Sequence, residues 1–363
     1  MKKKLLFTAY SLEIGGIEKA LINLLNRLDY EKYDVTLILE KKEGTFLDMV
    51  PKEVKVLEYK ISCNKIVLFR KIYNRLKLLK WQLNLKNKYD FSCSFATYSI
   101  PGSYLARVAS LNNTLWMHGN YYILYNRNEE ELKRYLDSVF ANKFKRLVFV
   151  SNENLRDVCN HYVGIKEKSI VCNNFIDGND ILEKSLENCE YKRDRNPLFV
   201  NVGRHDEYQK RLSRIIEASK KLKEENYKFK VIFIGDGPDT NMYKTMVKEE
   251  KLEDVIIFLG RKKNPFPYYK LADAVLLSSE YEGYPVVFLE AMILGKPILS
   301  TKVSDFEDID NKYGLFSECN TDGVYNSMKK FMDTKFVNKE KFDYLKYNEE
   351  IENKIIAIIN DNL

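Results

Sequence analysis

The sequence predicts an α/β chain of two doubly wound parallel sheets, and three observations carry that expectation. Apolar runs of strand length alternate with helical patterns along almost all of the 363 residues, the rhythm of parallel strands joined by crossover helices. Hydrophobic residues make up 45% of the chain and aromatics 13%, enough for packed cores rather than a disordered polymer. The rhythm is interrupted once, at 183–196, by a charged stretch with no glycine and no strand character. At roughly 150 residues per domain, that break divides the chain into a first domain, 1–190, and a second, 191–346. A last helix, 347–363, is expected to cross back toward the first.

The first element is a strand at 4–9. The apolar run from Leu5 to Tyr10 is too short for the core of a signal peptide, and a buried strand uses it better. Ile17, Ala20, Leu21, Leu24, Leu25 and Leu28 then recur at helical spacing. Further strands are expected at 34–39, 54–57, 91–94, 114–117, 147–150 and 170–171. After the break, the second series runs 198–202, 230–234, 255–258, 274–277 and 297–300. No stretch reaches the ~18 uninterrupted apolar residues of a membrane span. The six cysteines (Cys63, Cys93, Cys159, Cys172, Cys189, Cys319) are scattered without a C-x-x-C, and there are three histidines. A structural zinc site is disfavoured, and a reduced cytoplasmic setting fits. Net charge is +7, compatible with a polyanion, a membrane surface or a phosphorylated ligand and selective for none. A nucleic-acid partner is not expected.

The chemistry concentrates around 279–296. Pro285 suits the first turn of a helix, where its missing N–H has no partner anyway. Gly295 suits the position beyond the helix end, where positive φ is needed. A helix over 285–294 leaves Glu282 in the loop before its N-terminus and opens an anion site at the amides of Val286 and Val287. Glu290 lies one turn beyond Val286 on the same face. A ligand with phosphate on those amides would meet a carboxylate on either side. That is the layout of a nucleotide-sugar, with sugar, diphosphate and ribose in line.

Other residues extend the pattern. Arg204 ends the 198–202 strand and Lys210 opens the next helix, so two cations could clamp a diphosphate, Arg as a fork and Lys as a point charge. Two solvated surface cations are the plain alternative. Gly235-Asp236-Gly237-Pro238 follows the 230–234 strand and reads as a tight turn without assigned chemistry. Gly15-Gly16 opens the first helix, where backbone can approach a ligand closely; the G-x-G-x-x-G fingerprint of a dinucleotide site is absent. His118 follows the 114–117 strand and either faces a ligand or is a satisfied structural residue. His161 and His205 read as structural or surface. Residues 64–89 form a basic amphipathic helix: Ile66, Phe69, Ile72, Tyr73, Leu76, Leu79 and Leu83 make an apolar stripe among eight Lys and Arg with no acid. With Trp81 and Phe69 it could lie on anionic lipid, or simply cover a domain.

Together these residues resemble the retaining glycosyltransferases usually called group 1 or family 4, which have the GT-B fold of two Rossmann-like domains. The resemblance rests on Gly15-Gly16-Ile17-Glu18, Val202-Gly203-Arg204 with Gln209-Lys210-Arg211, Gly235-Asp236-Gly237-Pro238, and Glu282 with Glu290 seven residues apart before Gly295-Lys296-Pro297. It covers nearly the whole chain and is strongest over 198–305. It implies that the second domain binds a nucleotide-sugar donor and the first an acceptor. Arg204 and Lys210 would hold the diphosphate and stabilise it as it leaves, Glu282 would bind sugar hydroxyls beside the reacting carbon, and Glu290 would bind the ribose. His118 would stand near the donor sugar, with Gly16, Pro285 and the amides of Gly283, Tyr284, Val286 and Val287 around sugar and phosphate. Backbone near Arg261 and Lys262 would hold the base. No cofactor or metal is implied, so Asp308-Ile309-Asp310 is discounted as a metal motif. Tyr284-Pro285 departs from the Phe-Gly common in the family, which bears on the identity of the sugar. The implied activity is transfer of a hexose or N-acetylhexosamine from a UDP-sugar to a lipid-linked saccharide in capsule, exopolysaccharide or lipopolysaccharide assembly. A non-catalytic partner subunit and a nucleotide-sugar epimerase remain as alternatives.

Overall fold

The structure is a computed structural model that describes residues 1–13, 15–60 and 66–362. Cys63, Asn64 and Lys65, named above, lie outside the described residues. The chain forms two units, Met1–Phe175 with Asn348–Leu363, and Ile176–Tyr347.

The first unit holds a seven-stranded sheet: β1 Lys3–Ala9, β2 Tyr33–Leu39, β3 Lys55–Glu58, β4 Phe91–Ser94, β5 Asn113–Met117, β6 Arg146–Phe149 and β7 Ser169–Val171. Its order is β3-β2-β1-β4-β5-β6-β7, and every pairing is parallel. The second unit holds β8 Leu198–Val202, β9 Lys230–Ile234, β10 Ile256–Gly260, β11 Ala274–Leu276, β12 Ile298–Thr301 and β13 Gly314–Ser317. These are ordered β10-β9-β8-β11-β12-β13, again all parallel. Both orders reverse direction at one place, between β1 and β4 and between β8 and β11. In open α/β sheets ligands bind beyond the carboxyl ends of the strands at that reversal.

Burial on both faces explains the continuous apolar strands. In the second unit Phe199, Val231, Phe233 and Leu276 turn to one core with Ile215, Ile216, Tyr243 and Met328. Their neighbours Leu198, Val200, Ile232, Ile234 and Val275 turn to the other, against Tyr269, Phe288, Leu289 and Met292.

The unit boundary differs from the expected one. The break at 190 is replaced by one after Phe175, and 183–196 is no linker. Ile176 and Ile181 sit in the core of the second unit. Arg193 donates to the Leu271 carbonyl and pairs with Asp273 at 2.5 Å, so this stretch is tied to the second unit. The last helix is Tyr344–Asn360. From Asn348 onward it counts with the first unit, where Asn112 donates to the carbonyls of Ile358 and Ile359. One strand, β13, was not expected at all.

The basic segment forms a helix, Val67–Leu85. Trp81, named with Phe69 as a residue that could meet lipid, instead meets the Tyr59 ring edge-on at 5.9 Å and packs against the core with Leu78.

Candidate functional site

Two loops of the second unit meet at the carboxyl ends of β8 and β11. The first, 203–211, carries Arg204 and Lys210; the second, 277–285, carries Glu282. Lys210 does not open the next helix as expected. That helix is Leu212–Glu224, with Arg211 before it in the left-handed region at φ +50°. The amides of Lys210 and Arg211 both donate to the Asp206 carbonyl, so the chain closes a turn of its own first and swings Lys210 sideways.

The loops are stitched together over their length. The Glu280 amide donates to the Gln209 carbonyl at 2.8 Å. The Ser278 hydroxyl donates to the Lys210 and Arg211 carbonyls at 2.9 Å. Arg214 donates to the Ser278 carbonyl at 3.0 Å and pairs with Glu280. The Gly235 turn backs the first loop. At φ +143° and with a Cβ placed 1.8 Å from the Gly203 carbonyl oxygen, no other residue fits at Gly235 without moving the backbone that presents Arg204.

At the junction Glu282 is buried, 6% exposed, and a buried carboxylate needs partners. Lys210 Nζ lies 2.5 Å from its Oε1, the Ser279 hydroxyl donates to the same oxygen at 2.7 Å, and Gln209 Nε2 donates to Oε2 at 3.3 Å. The structure thus brings Lys210 directly against Glu282. Arg204 stands exposed on the same loop, 3.3 Å from Asp206. Gln209 and Ser279 lay inside the quoted motifs without a role assigned to them; adjacency to Lys210 and Glu282 was the only signal.

The helix beyond is Val286–Ile293, with Pro285 at its cap rather than inside its first turn. The amides of Val286 and Val287 therefore have no acceptor in the helix, and they carry the positive end of its dipole. Gly295 has φ +67° as expected. The Ser304 hydroxyl donates to the Gly283 carbonyl at 2.7 Å and pins the turn. Tyr284 is packed against the core, and burial pushes its hydroxyl pKa up. Glu290 accepts a hydrogen bond from Tyr269 at 2.7 Å. Tyr269 is fully buried, and desolvation, then the charge of Glu290, keeps its phenol protonated and donating. Tyr269 sits 21 positions before Glu290 on another helix, and nothing in the sequence pointed to it.

The remaining named residues are placed as follows. Arg261 lies 3.6 Å from Asp236, and Lys262 pairs with Glu190. His205 is buried, with Nδ1 2.9 Å from the Thr240 hydroxyl, which donates to Asp236; it braces the 235–238 turn. His161 stacks on Tyr122 at 3.7 Å and lies 2.8 Å from Glu129. Asp308 closes a short 3₁₀ turn, and Asp310 accepts the Phe316 amide at 3.1 Å.

In the first unit, Gly16 begins the helix Gly16–Arg27 with open space where its side chain would be. His118 follows β5. Its Nε2 is buried without a partner among the described residues, while a bond to the Phe95 backbone holds the ring. Burial pushes its pKa down to about 3, so at neutral pH it is an uncharged hydrogen-bonding group.

Comparisons with known proteins agree with this architecture. Residues 186–352 match the family model described as glycosyl transferases group 1. The N-acetylgalactosamine-N,N'-diacetylbacillosaminyl-diphospho-undecaprenol 4-alpha-N-acetylgalactosaminyltransferase of Campylobacter jejuni is 26% identical over 91% of this chain and 90% of that protein. The UDP-Gal:alpha-D-GlcNAc-diphosphoundecaprenol alpha-1,3-galactosyltransferase of Escherichia coli is 25% identical over 95% of each. An uncharacterized glycosyltransferase of Methanocaldococcus jannaschii is 27% identical, and the match spans only 52% of its length. Among solved structures, HepE of Anabaena in complex with UDP-glucose superposes with TM-score 0.76 at 17% identity, over 98% of this chain and all of that one. The two parallel sheets, the matched region and the full-length relatives converge: the chain has the GT-B fold, and residues 186–352 match the group 1 glycosyl transferases.

Proposed function

We propose that the protein is a retaining, metal-independent glycosyltransferase that moves a hexose or N-acetylhexosamine from a UDP-sugar to a hydroxyl of a lipid-linked saccharide during surface polysaccharide synthesis. The observation that carries this reading is the contact of Lys210 with the buried Glu282 where the second sheet reverses. One side of that pair suits a sugar and the other a diphosphate. In the reaction the bond from the anomeric carbon to the diphosphate breaks and its electron pair leaves with the phosphate. The acceptor oxygen bonds to that carbon and its proton passes to an oxygen of the departing diphosphate. Lys210, Arg204 and the amides of Val286 and Val287 neutralise the charge that grows on the diphosphate, the task a metal ion performs elsewhere. Glu282 holds the sugar, Glu290 the ribose, and Gly283 to Pro285 frame the phosphate. The uridine base rests on backbone near Arg261 and Lys262. The two full-length relatives are named for diphosphoundecaprenol-linked substrates, which supports a lipid-linked acceptor met at the cytoplasmic face of a membrane. Among the described residues no helix is long and apolar enough to cross one.

The test is a thermal-shift screen with UDP-, GDP- and ADP-sugars followed by product analysis. A ligand at a hundred times its Kd stabilises by about 2.7 kcal/mol. UDP and one UDP-sugar should raise the melting point, and an acceptor should receive the sugar with its anomeric configuration kept and with EDTA present. Sugar isomerisation without an acceptor would identify an epimerase. Absence of any nucleotide-dependent shift would point to a non-catalytic subunit.

Tyr269 supplies a finer prediction. Tyr269→Phe removes the donor to Glu290 and leaves that carboxylate without the bond that orients it. The cost of such a bond to a charged group is about 1.5–3 kcal/mol, and it should fall on donor binding. An increase in donor KM of tenfold or more is expected, with kcat nearly unchanged; a fall confined to kcat would count against the ribose role of Glu290.

A further inference from the structure

The helix Val67–Leu85 has one face packed on the first unit and the opposite face turned outward. Inward lie Leu78, Trp81, Gln82 and Leu85, with Trp81 against Tyr59, the Tyr104 hydroxyl donating to Gln82, and Leu85 buried. Outward lie Phe69, Ile72, Leu76, Leu79 and Leu83, spaced three and four apart and each between 47% and 75% exposed. At 100° per residue these five share a stripe opposite the packed side. Lys80 borders it on one side, and Arg75 and Lys86 on the other. A surface helix of a water-soluble domain normally shows the reverse, apolar inward and polar outward.

The charge is as uneven as the hydrophobicity. The chain has 59 Lys and Arg against 52 Asp and Glu. Residues 66–89 contain seven of the former and none of the latter, so the rest of the chain balances at 52 of each. The whole net charge of the protein is thus the charge of this helix and its exit. An exposed apolar stripe between rows of cations, in a helix about 28 Å long, is the form of an element lying in the plane of a membrane interface.

We propose that this helix is the docking surface of the protein for an anionic phospholipid bilayer, its stripe entering the headgroup boundary and its cations resting on lipid phosphates. A second copy of the chain is the rival occupant, since the stripe has the spacing of a coiled-coil seam. Pairing two such faces would bring seven cations against seven with no acid to offset them, and that disfavours it. Anionic lipid complements both the stripe and its borders. Docking of this kind would hold the protein beside lipid-linked molecules and raise their effective concentration. The proposal is independent of the sugar chemistry, because it is read without donor or acceptor.

The experiment is co-sedimentation of the full chain with vesicles of phosphatidylcholine alone and of phosphatidylcholine containing phosphatidylglycerol. Binding should require phosphatidylglycerol and weaken as salt is raised. The triple variant Arg75→Gln, Lys80→Gln, Lys86→Gln should bind at least about tenfold more weakly, given the attraction of each cation to an anionic surface. The double variant Leu76→Gln, Leu79→Gln should lose a similar factor. Both should keep the parental melting point, because neither touches the packed face. Equal binding to both vesicle types, or no binding to either, would overturn the proposal. So would a concentration-dependent dimer in lipid-free buffer that the Leu76→Gln, Leu79→Gln variant abolishes. Transfer to a water-soluble acceptor analogue should persist in both variants, which separates failure of docking from failure of catalysis.

Discussion

Lys210→Ala should lower kcat by about a hundredfold, the effect of losing a donor worth about 3 kcal/mol to developing negative charge. On the proposed function the ammonium has two duties. In the free protein it pairs with Glu282 at 2.5 Å, which fixes a nearly buried carboxylate in place. With donor present the same ammonium also faces the leaving diphosphate, where its charge is worth more as the bond breaks. Alanine removes both, so UDP affinity should fall along with kcat. Some stability should go as well, about 1–3 kcal/mol for a buried acceptor that loses one partner, with Ser279 and Gln209 still holding Glu282. Lys210→Arg should recover part of the activity, since it keeps the charge but spreads it over a longer planar group. The measurements are steady-state kcat, UDP affinity by calorimetry, and a melting curve for each variant. A loss below tenfold would remove the clamp. A loss in kcat with UDP affinity intact would mean that Lys210 acts only by holding Glu282.

The parts of this site that the sequence made legible share a cause. Arg204, Lys210, Glu282 and Glu290 stand in short runs whose local chemistry is set by neighbours a few positions away: a strand end, a proline, a helix start. Parallel strands buried on both faces announce themselves as apolar runs, and so β8, β9 and β11 were placed to within a residue or so. What stayed hidden depends on contacts between distant segments. Tyr269 meets Glu290 across two helices, and hydrophobic periodicity describes such a tyrosine only as core. The strand Gly314–Ser317 is short, begins at a glycine and follows Asp310-Asn311-Lys312-Tyr313, a turn-like sequence. It is a strand because Gly314 fits against the Ile298 carbonyl, where a Cβ would stand 2.0 Å away. The unit boundary was misplaced because an exposed, charged stretch was read as a linker, although Ile176 and Ile181 before it already sit in the second core. Arg193 and Glu190 are instead used in pairing with Asp273 and Lys262. Trp81 shows the limit of the amphipathic pattern, since a helix with apolar residues on two sides does not say which side is covered.

Glu282→Gln should reduce kcat at least as severely as the loss of Lys210, by about a hundredfold or more, with little change in UDP affinity. Glutamine keeps the volume and its one amide oxygen still accepts from Ser279, while the loops should stay stitched through Glu280, Ser278 and Arg214. What disappears is the negative charge. Lys210 then lies mostly buried, its side chain 20% exposed, without its counter-ion, and an unpaired ammonium in such a place is costly. It should settle more tightly on the ground-state diphosphate, so donor affinity is maintained while the advantage reserved for the transition state is lost. The sugar also loses a charged acceptor beside the carbon on which positive charge grows as the diphosphate departs, and charge-assisted bonds are about twice as strong as neutral ones. Glu290→Gln provides the control, because a carboxylate that holds only the ribose should, when neutralised, raise donor KM and spare kcat. Measuring kcat and KM for both variants, with UDP affinity alongside, separates the two acids. Equal profiles for Glu282→Gln and Glu290→Gln would mean that the two carboxylates share one role, and the assignment of Glu282 to the reacting sugar would fall.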